Sequence, residues 1–365
     1  MIRAIAASIL LLAAATPALA LEDAEYAAAV TATAKSALIP GYQSLERATQ
    51  DLRGSLDGLC KQPSEGSLDQ ARAQFAATAA AWARVQYISF GAVSEQERGF
   101  RIEYWPDKRN VVGRQLADVL AKQDAAALEP QRFATTTVGV QGLPALDRLL
   151  FEDGALAKFA PDAPGAAFRC DLLGAIGVNL STIAHEIVAG WTEGESPFLA
   201  EIEHPSEDNE DLPTGRDAAG RLLNDLLTAT IAMRDMKLLA PLGDSLEKAK
   251  PQGAEYWRSG QSIAILAANL EGWRALFGTG QGLGGLLATQ PDGKALADEL
   301  AATVDQASSA LKQITVPLDK AVADPAQRKL VEAFAAQLIK LRDLLAGPIT
   351  AKLNLPIGFN ALDGD

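Results

Sequence analysis

An all-α fold built from helical bundles follows from three observations on this sequence. Apolar residues recur at three- and four-residue steps through most of the chain, strand-like alternation is nearly missing, and helix-capping residues stand where such stretches begin. Bundles are the usual way for consecutive amphipathic helices to bury their apolar stripes.

The first segment lies apart from the fold. Arg3 supplies a positive start, Ile5 to Ala15 form a largely apolar run, Pro17 breaks it, and Ala18-Leu19-Ala20 is a small-residue cleavage site. This predicts a cleavable export signal over residues 1–20, cleavage after Ala20, and a periplasmic mature chain beginning at Leu21. The apolar run is too short for a membrane helix. No cysteine sits just after the cleavage point, so no lipid anchor is expected, and no later segment reads as a membrane span.

Ser67-Leu68-Asp69-Gln70 has the form of a capping box, and the Ala-rich stretch to Tyr87 reads as its helix. Thr135 to Val140 is the one β-branched run. Helical periodicity then runs through Ala166–Trp191, Asp217–Leu239, Tyr256–Phe277 and Lys294–Ile314. Asp324-Pro325 places a capping residue before a proline suited to a first helical turn, and Leu330, Phe334, Leu338, Leu341 and Leu345 follow at helical spacing.

The stretch from Glu193 to Pro213 carries eight acidic residues, His204 and three prolines. It lacks the alternating Asp order of a calcium loop and is expected to be a solvated, mobile linker. It divides the chain into an N-terminal half (21–192), an acidic linker (193–213) and a C-terminal half (214–365). A faint internal repeat supports two related halves. Gly142-Leu143-Pro144-Ala145-Leu146-Asp147 recurs as Gly358-Phe359-Asn360-Ala361-Leu362-Asp363. Trp82-Ala83-Arg84 has a counterpart in Trp273-Arg274, each in a helix expected to end in Phe-Gly, at Phe90-Gly91 and Phe277-Gly278.

The net charge is −13 and becomes −14 once Arg3 leaves with the signal. An acidic surface without a basic run argues against nucleic acid as a partner. Cys60 and Cys170 are the only cysteines, and in an oxidising compartment a disulfide between them is the favoured reading. It would close a loop of roughly 110 residues, worth roughly 4–5 kcal/mol in the chain-entropy model.

Catalytic signatures are sparse. The chain has two histidines, and a catalytic zinc usually takes three protein ligands, mostly histidine. His185-Glu186 opens like the zincin motif, but the second histidine position is Ala189. No G-x-S-x-G elbow is present. Gly280 to Gly285 has the formal spacing of a dinucleotide loop but follows a helical stretch, so a flexible interhelical loop is expected.

The densest cluster is Arg101 to Arg109, with Glu103, Tyr104, Trp105, Pro106 and Asp107 at its centre. Two readings fit it. The aromatics could wall a ligand groove with Glu103 or Asp107 as polar contacts. Alternatively, Trp105 covers the core and Asp107 caps the next helix, starting near Lys108.

Four strings in order resemble the imelysin family of bacterial cell-envelope proteins, once named as peptidases. They are the helix end from Trp82 to Phe90-Gly91, Tyr104-Trp105-Pro106-Asp107, Gln141-Gly142 through Asp147 to Phe151, and the ending Gly358 to Asp365. The family is marked by Gly-x-His-x-x-Glu. Here the His position holds Pro144 and the Glu position holds Asp147, as in a branch bearing Gly-Leu-Pro-Ala-Leu-Asp. A prolyl ring offers no lone pair to a metal, whereas Asp147 keeps a carboxylate one methylene shorter.

The resemblance implies two helical-bundle subdomains with a groove between them, an envelope location and a link to iron acquisition. The candidate ligand- or metal-binding residues are Glu103, Asp107, Gln141 and Asp147, and the candidate groove-lining residues are Trp82, Trp105, Gly142 and Pro144. Iron or another hard cation is the candidate ligand, and an iron species or an envelope iron-uptake protein is the candidate partner. The leading expectation is a non-enzymatic binding or accessory component of iron uptake. The alternatives are a metallopeptidase using His185 and Glu186, and an envelope interaction scaffold.

Overall fold

The computed structural model describes residues 21–278 and 280–356. The export signal at 1–20 and the C-terminal copy of the repeat at 358–363 lie outside the described residues. Helices account for nearly all the regular structure, and no strand occurs among the described residues.

Helix α1 (Asp23–Thr33) passes through a π-helical turn into α2 (Ile39–Lys61). Helix α3 (Glu65–Ala83) follows, and its N-cap is Ser64, three residues before the expected Ser67. Ser64 and Ser67 exchange side-chain and backbone hydrogen bonds, so the cap forms one turn earlier. Helix α3 also stops at Ala83, and Phe90-Gly91 lies beyond it at the start of a 3₁₀ turn. The expected match between two helices ending in Phe-Gly therefore holds only at Phe277-Gly278.

Short helices α4 (Arg98–Ile102), α5 (Val111–Lys122) and α6 (Pro130–Phe133) lead to α7 (Leu143–Phe151). Val138–Val140 of the β-branched run before α7 form a 3₁₀ turn, and among the described residues no strand is present to pair with the run. Helix α8 (Ala166–Thr192) is the longest, and Cys170 on it is disulfide-bonded to Cys60 at the end of α2. By length and composition α8 could cross a membrane, contrary to the sequence reading, but 56% of its apolar window is buried inside the fold. Its apolar character serves packing against α2.

The acidic stretch is partly built into the fold. Helix α9 (Phe198–Glu203) buries Ile202 and packs on α1 and α8, and Leu212 is also buried. Lys35 pairs with Glu203, and Asn209 donates to Glu201 while accepting from the backbone of Asp211 and Leu212.

Helix α10 (Gly215–Ile231) runs into a π-helical segment, Ala232–Leu239, and then α11 (Ala240–Leu242). Residues Tyr256 to Gln261, expected to open the next helix, form a tight turn with Tyr256 at φ +49°, and α12 (Ser262–Phe277) starts after it. Helix α13 (Gly282–Ala288) occupies most of the glycine-rich segment expected to be a loop. Helices α14 (Gly293–Leu311), α15 (Leu318–Ala321), α16 (Pro325–Leu344) and α17 (Thr350–Lys352) complete the order. Asp324 caps α16, accepting from the N–H groups of Ala326 and Gln327.

Helix α2 packs between α3 and α8, and α14 packs on α16, α13 and α12. Packing crosses the division of the sequence into halves: α1 lies against α10 and α13, and α3 against α12. One continuous apolar core runs from Tyr26 to Leu355. The α3–α12 contact needs a glycine, because a Cβ at Gly272 would stand 2.0 Å from the carbonyl oxygen of Arg84. That approach sets Asn269, one turn earlier on α12, beside Ala83 and Gln86.

Candidate functional site

The site lies where the chain after α4, helix α7, the π-helical segment after α10 and the turn before α12 meet. Its inner layer is a buried polar cluster. Lys237 comes from the π-helical segment and is 1% exposed. Insertion of an extra residue in a helical turn re-aims side chains, and such turns are frequent at functional sites. Lys237 Nζ donates to Asn269 Oδ1 at 2.8 Å and to Gln86 Oε1 at 3.0 Å, and stands 2.8 Å from Glu255 Oε2. The rings of Tyr87 and Trp105 lie 5.4 and 5.8 Å from the ammonium. Glu255 is likewise 1% exposed.

Glu103 completes this layer. Its Oε2 accepts from Trp82 Nε1 at 2.8 Å and from Gln86 Nε2 at 3.3 Å. Burial, followed by the neighbouring Glu255, pushes its carboxyl up to about 8, against the pull of Lys237. Both effects favour its protonated form. Tyr256 is also buried, and its hydroxyl is raised well above the ordinary range by burial and then by Glu103 and Glu255.

The outer layer is an open cleft of about 930 Å³. Tyr104, Trp105, Pro106, Tyr256 and Trp257 give it aromatic and prolyl walls. Pro144, Ile231, Met236 and Ala240 add apolar surface, and Asp107, Lys108, Asp147, Arg148, Asp235, Lys250 and Arg258 bring charge. Arg258 stacks on Trp257 with its guanidinium carbon 4.3 Å from the ring centroid. Asp147, on α7, is 4% exposed; its Oδ1 accepts from Ser259 N at 3.3 Å, and Arg258 approaches Oδ2 at 3.9 Å. Burial raises its carboxyl, while Ser259 and Arg258 oppose that shift.

The candidates from sequence separate into distinct places. Trp105, Asp107, Pro144 and Asp147 line the cleft. Glu103 and Trp82 belong to the buried layer and are joined by a hydrogen bond. Gln141 is interior: it accepts from Arg101 Nε at 2.9 Å, donates to Thr136 O at 2.5 Å, and its carbonyl accepts from Asn179. Gly142 is interior too, since a Cβ there would meet Ile102 O at 2.2 Å. Of the two readings of the Arg101–Arg109 cluster, the helix-capping role of Asp107 is present. Asp107 faces the cleft and caps α5, its Oδ1 accepting from Val111 N at 2.6 Å and its Oδ2 from Val112 N at 3.1 Å.

Lys237, Glu255, Tyr256 and Arg258 were not foreseen from sequence. A signal for Glu255 and Tyr256 exists: Glu103-Tyr104-Trp105 recurs as Glu255-Tyr256-Trp257. Both glutamates reach the Lys237 layer, and both Tyr-Trp pairs wall the cleft. The recurrence is out of step with the tryptophan-helix match, because Trp82 precedes its Glu-Tyr-Trp and Trp273 follows its own.

These residues do not fit a resident metal centre. Among the described residues, no group of three or more His, Cys, Asp or Glu side chains could hold a metal ion. Where oxygen atoms do converge, beside Glu255, Gln86 and Asn269, the cation they hold is the ammonium of Lys237. His185 is exposed on α8, 2.9 Å from Glu46 Oε1, and Glu186 pairs with Arg98.

The fold and site thus define an all-helical, disulfide-bonded protein with an aromatic, charged cleft over a buried ion pair. The imelysin (M75 peptidase) family model matches residues 38–345, and the chain belongs to that family. No curated protein matches it. Among solved structures it is similar to an imelysin-like protein from Psychrobacter arcticum, at 22% identity and a TM-score of 0.74, covering 94% of this chain and 100% of that one. It is also similar to a putative iron-regulated protein A precursor from Parabacteroides distasonis, at 13% identity and a TM-score of 0.76, covering 92% of this chain and 96% of that one.

Proposed function

We propose that this chain is a non-enzymatic binding or accessory protein of iron acquisition, exported to the periplasm and cleaved after Ala20. The observation that carries the reading is the cleft itself. It is large enough for a small ligand, and its aromatic walls stand beside charged side chains that can fix a ligand's orientation. Pro144 lines it where the family motif would place an imidazole, so binding is the role this surface supports. The chain's likeness to the Parabacteroides putative iron-regulated protein A precursor favours iron as the context. The Cys60–Cys170 bond favours an oxidising compartment. An iron species is then cargo, and an envelope iron-uptake protein is the partner that receives or delivers it.

The test is uptake of radioactive iron by a deletion strain of the native host under iron limitation. Uptake should fall, recover with the full chain, and fail to recover with a chain lacking residues 1–20. Uptake equal to that of the parent strain would remove the proposal.

A further inference from the structure

We propose that the cleft takes its iron as an anionic polycarboxylate chelate, with Arg148 and Arg258 as the anion contacts and Trp105 and Trp257 as flat walls. This rests on the iron-binding reading and specifies its ligand.

The charge inventory of the cleft carries the inference. Each acid there already has a partner. Asp107 accepts two backbone N–H groups of α5, Asp235 pairs with Arg234, and Asp147 accepts from Ser259 N. The bases are far less satisfied. Arg258 comes no closer than 3.9 Å to a carboxylate, and Arg148 donates to the neutral side chain of Asn110. Lys108 and Lys250 are exposed at the rim and form no ion pair among the described residues. Four basic against three acidic side chains line the cleft, so it leans positive in a chain of net charge −13.

Geometry makes the arginines suited to the task. The Arg258 guanidinium lies over the Trp257 ring, and its planar fork can pair two-pronged with a carboxylate. Arg258 is partly desolvated and sits near Arg148, and both effects lower its pKa; an anion between the two would relieve that strain on the charge. A bare cation meets the opposite conditions. It would face these bases, and the nearest converging oxygens already hold Lys237.

The experiment is isothermal titration calorimetry of the mature full-length chain with ferric citrate, metal-free citrate and ferrous ion. Ferric citrate should bind saturably and weaken with salt. Arg258→Gln should weaken it roughly tenfold or more, the scale of one charge-assisted hydrogen bond. The rim variant Lys108→Glu with Lys250→Glu changes only exposed side chains, and it decides the matter if Arg258→Gln lowers the melting temperature. It too should weaken chelate binding.

Ferrous ion binding more tightly than the chelate, or chelate affinity unchanged in both variants, would overturn the proposal. No chelate binding, with the uptake defect of the deletion strain intact, would remove the anion site and leave the iron reading. Equal affinity for metal-free citrate, without an uptake defect, would keep the anion site and remove the iron reading.

Discussion

The ammonium of Lys237 stands 2.8 Å from Glu255 Oε2, and both side chains are 1% exposed. A buried pair is poorly replaced one partner at a time, because the remaining charge loses both water and counter-charge. Lys237→Met should therefore destabilise the chain by about 3–5 kcal/mol. Lys237→Met with Glu255→Gln should recover much of that loss. Urea unfolding of the three proteins measures it, and a double variant as unstable as the single would show that the pair is not the source.

Stability should fall as pH rises through the range set by Glu103 and Asp225. Glu103 is held at about 8 in the fold against 4.5 for an ordinary glutamate, chiefly by burial. Asp225 is pushed up to about 7 from 3.8, again by burial, although Ser89 and Arg221 oppose the shift. In each case the folded state keeps a proton that the unfolded chain has already lost. Stability from these groups is thus fully present below the unfolded values and is lost by about pH 8. Glu103→Gln should flatten the decline in melting temperature between pH 5.5 and 8. An unchanged slope would assign the dependence elsewhere.

The disulfide spans 110 residues and ties the end of α2 to α8. Cys60→Ser with Cys170→Ser should cost about 2–5 kcal/mol, as should reduction of the native chain. A reductant-dependent drop in melting temperature, missing in the double serine variant, is the expected result.

Gly142→Ala should be among the most damaging single-atom additions in the chain. The new Cβ would meet the carbonyl oxygens of Ile102 and Arg101 at 2.2 and 2.5 Å, and both are backbone atoms. The loss should reach or exceed the ~1–3 kcal/mol typical of overpacking. Asp107→Ala, which removes only a helix cap, should cost about 1 kcal/mol. Thermal unfolding of both variants checks the order, and Asp107→Ala proving the worse would contradict it.

The helices were largely legible because each depends on its own residues. Periodicity over Ala166–Trp191 and the Asp324-Pro325 start correspond to α8 and α16 within a residue or two. Where boundaries moved, a local competitor decided: Ser64 caps α3 ahead of Ser67, and the turn at Tyr256 delays α12. The site was only partly legible. Trp105, Asp107, Pro144 and Asp147 share one cleft, yet Gln141 and Gly142, beside them in sequence, face the interior. Neighbours on a helix start point to different sides, and only packing fixes which side is open.

The sequence by itself determined that this chain is helical, where most of its helices run, and the family to which it belongs. Those properties reside in local periodicity, capping and short strings of residues. Only the tertiary structure brought Lys237 to Glu255, Gln86 and Asn269, and set both Tyr-Trp pairs in one cleft. The physical reason is distance along the chain. Lys237 and Gln86 are 151 residues apart, and their meeting depends on the close passage of α12 over α3 at Gly272 and on the π-helical turn that aims the lysine inward.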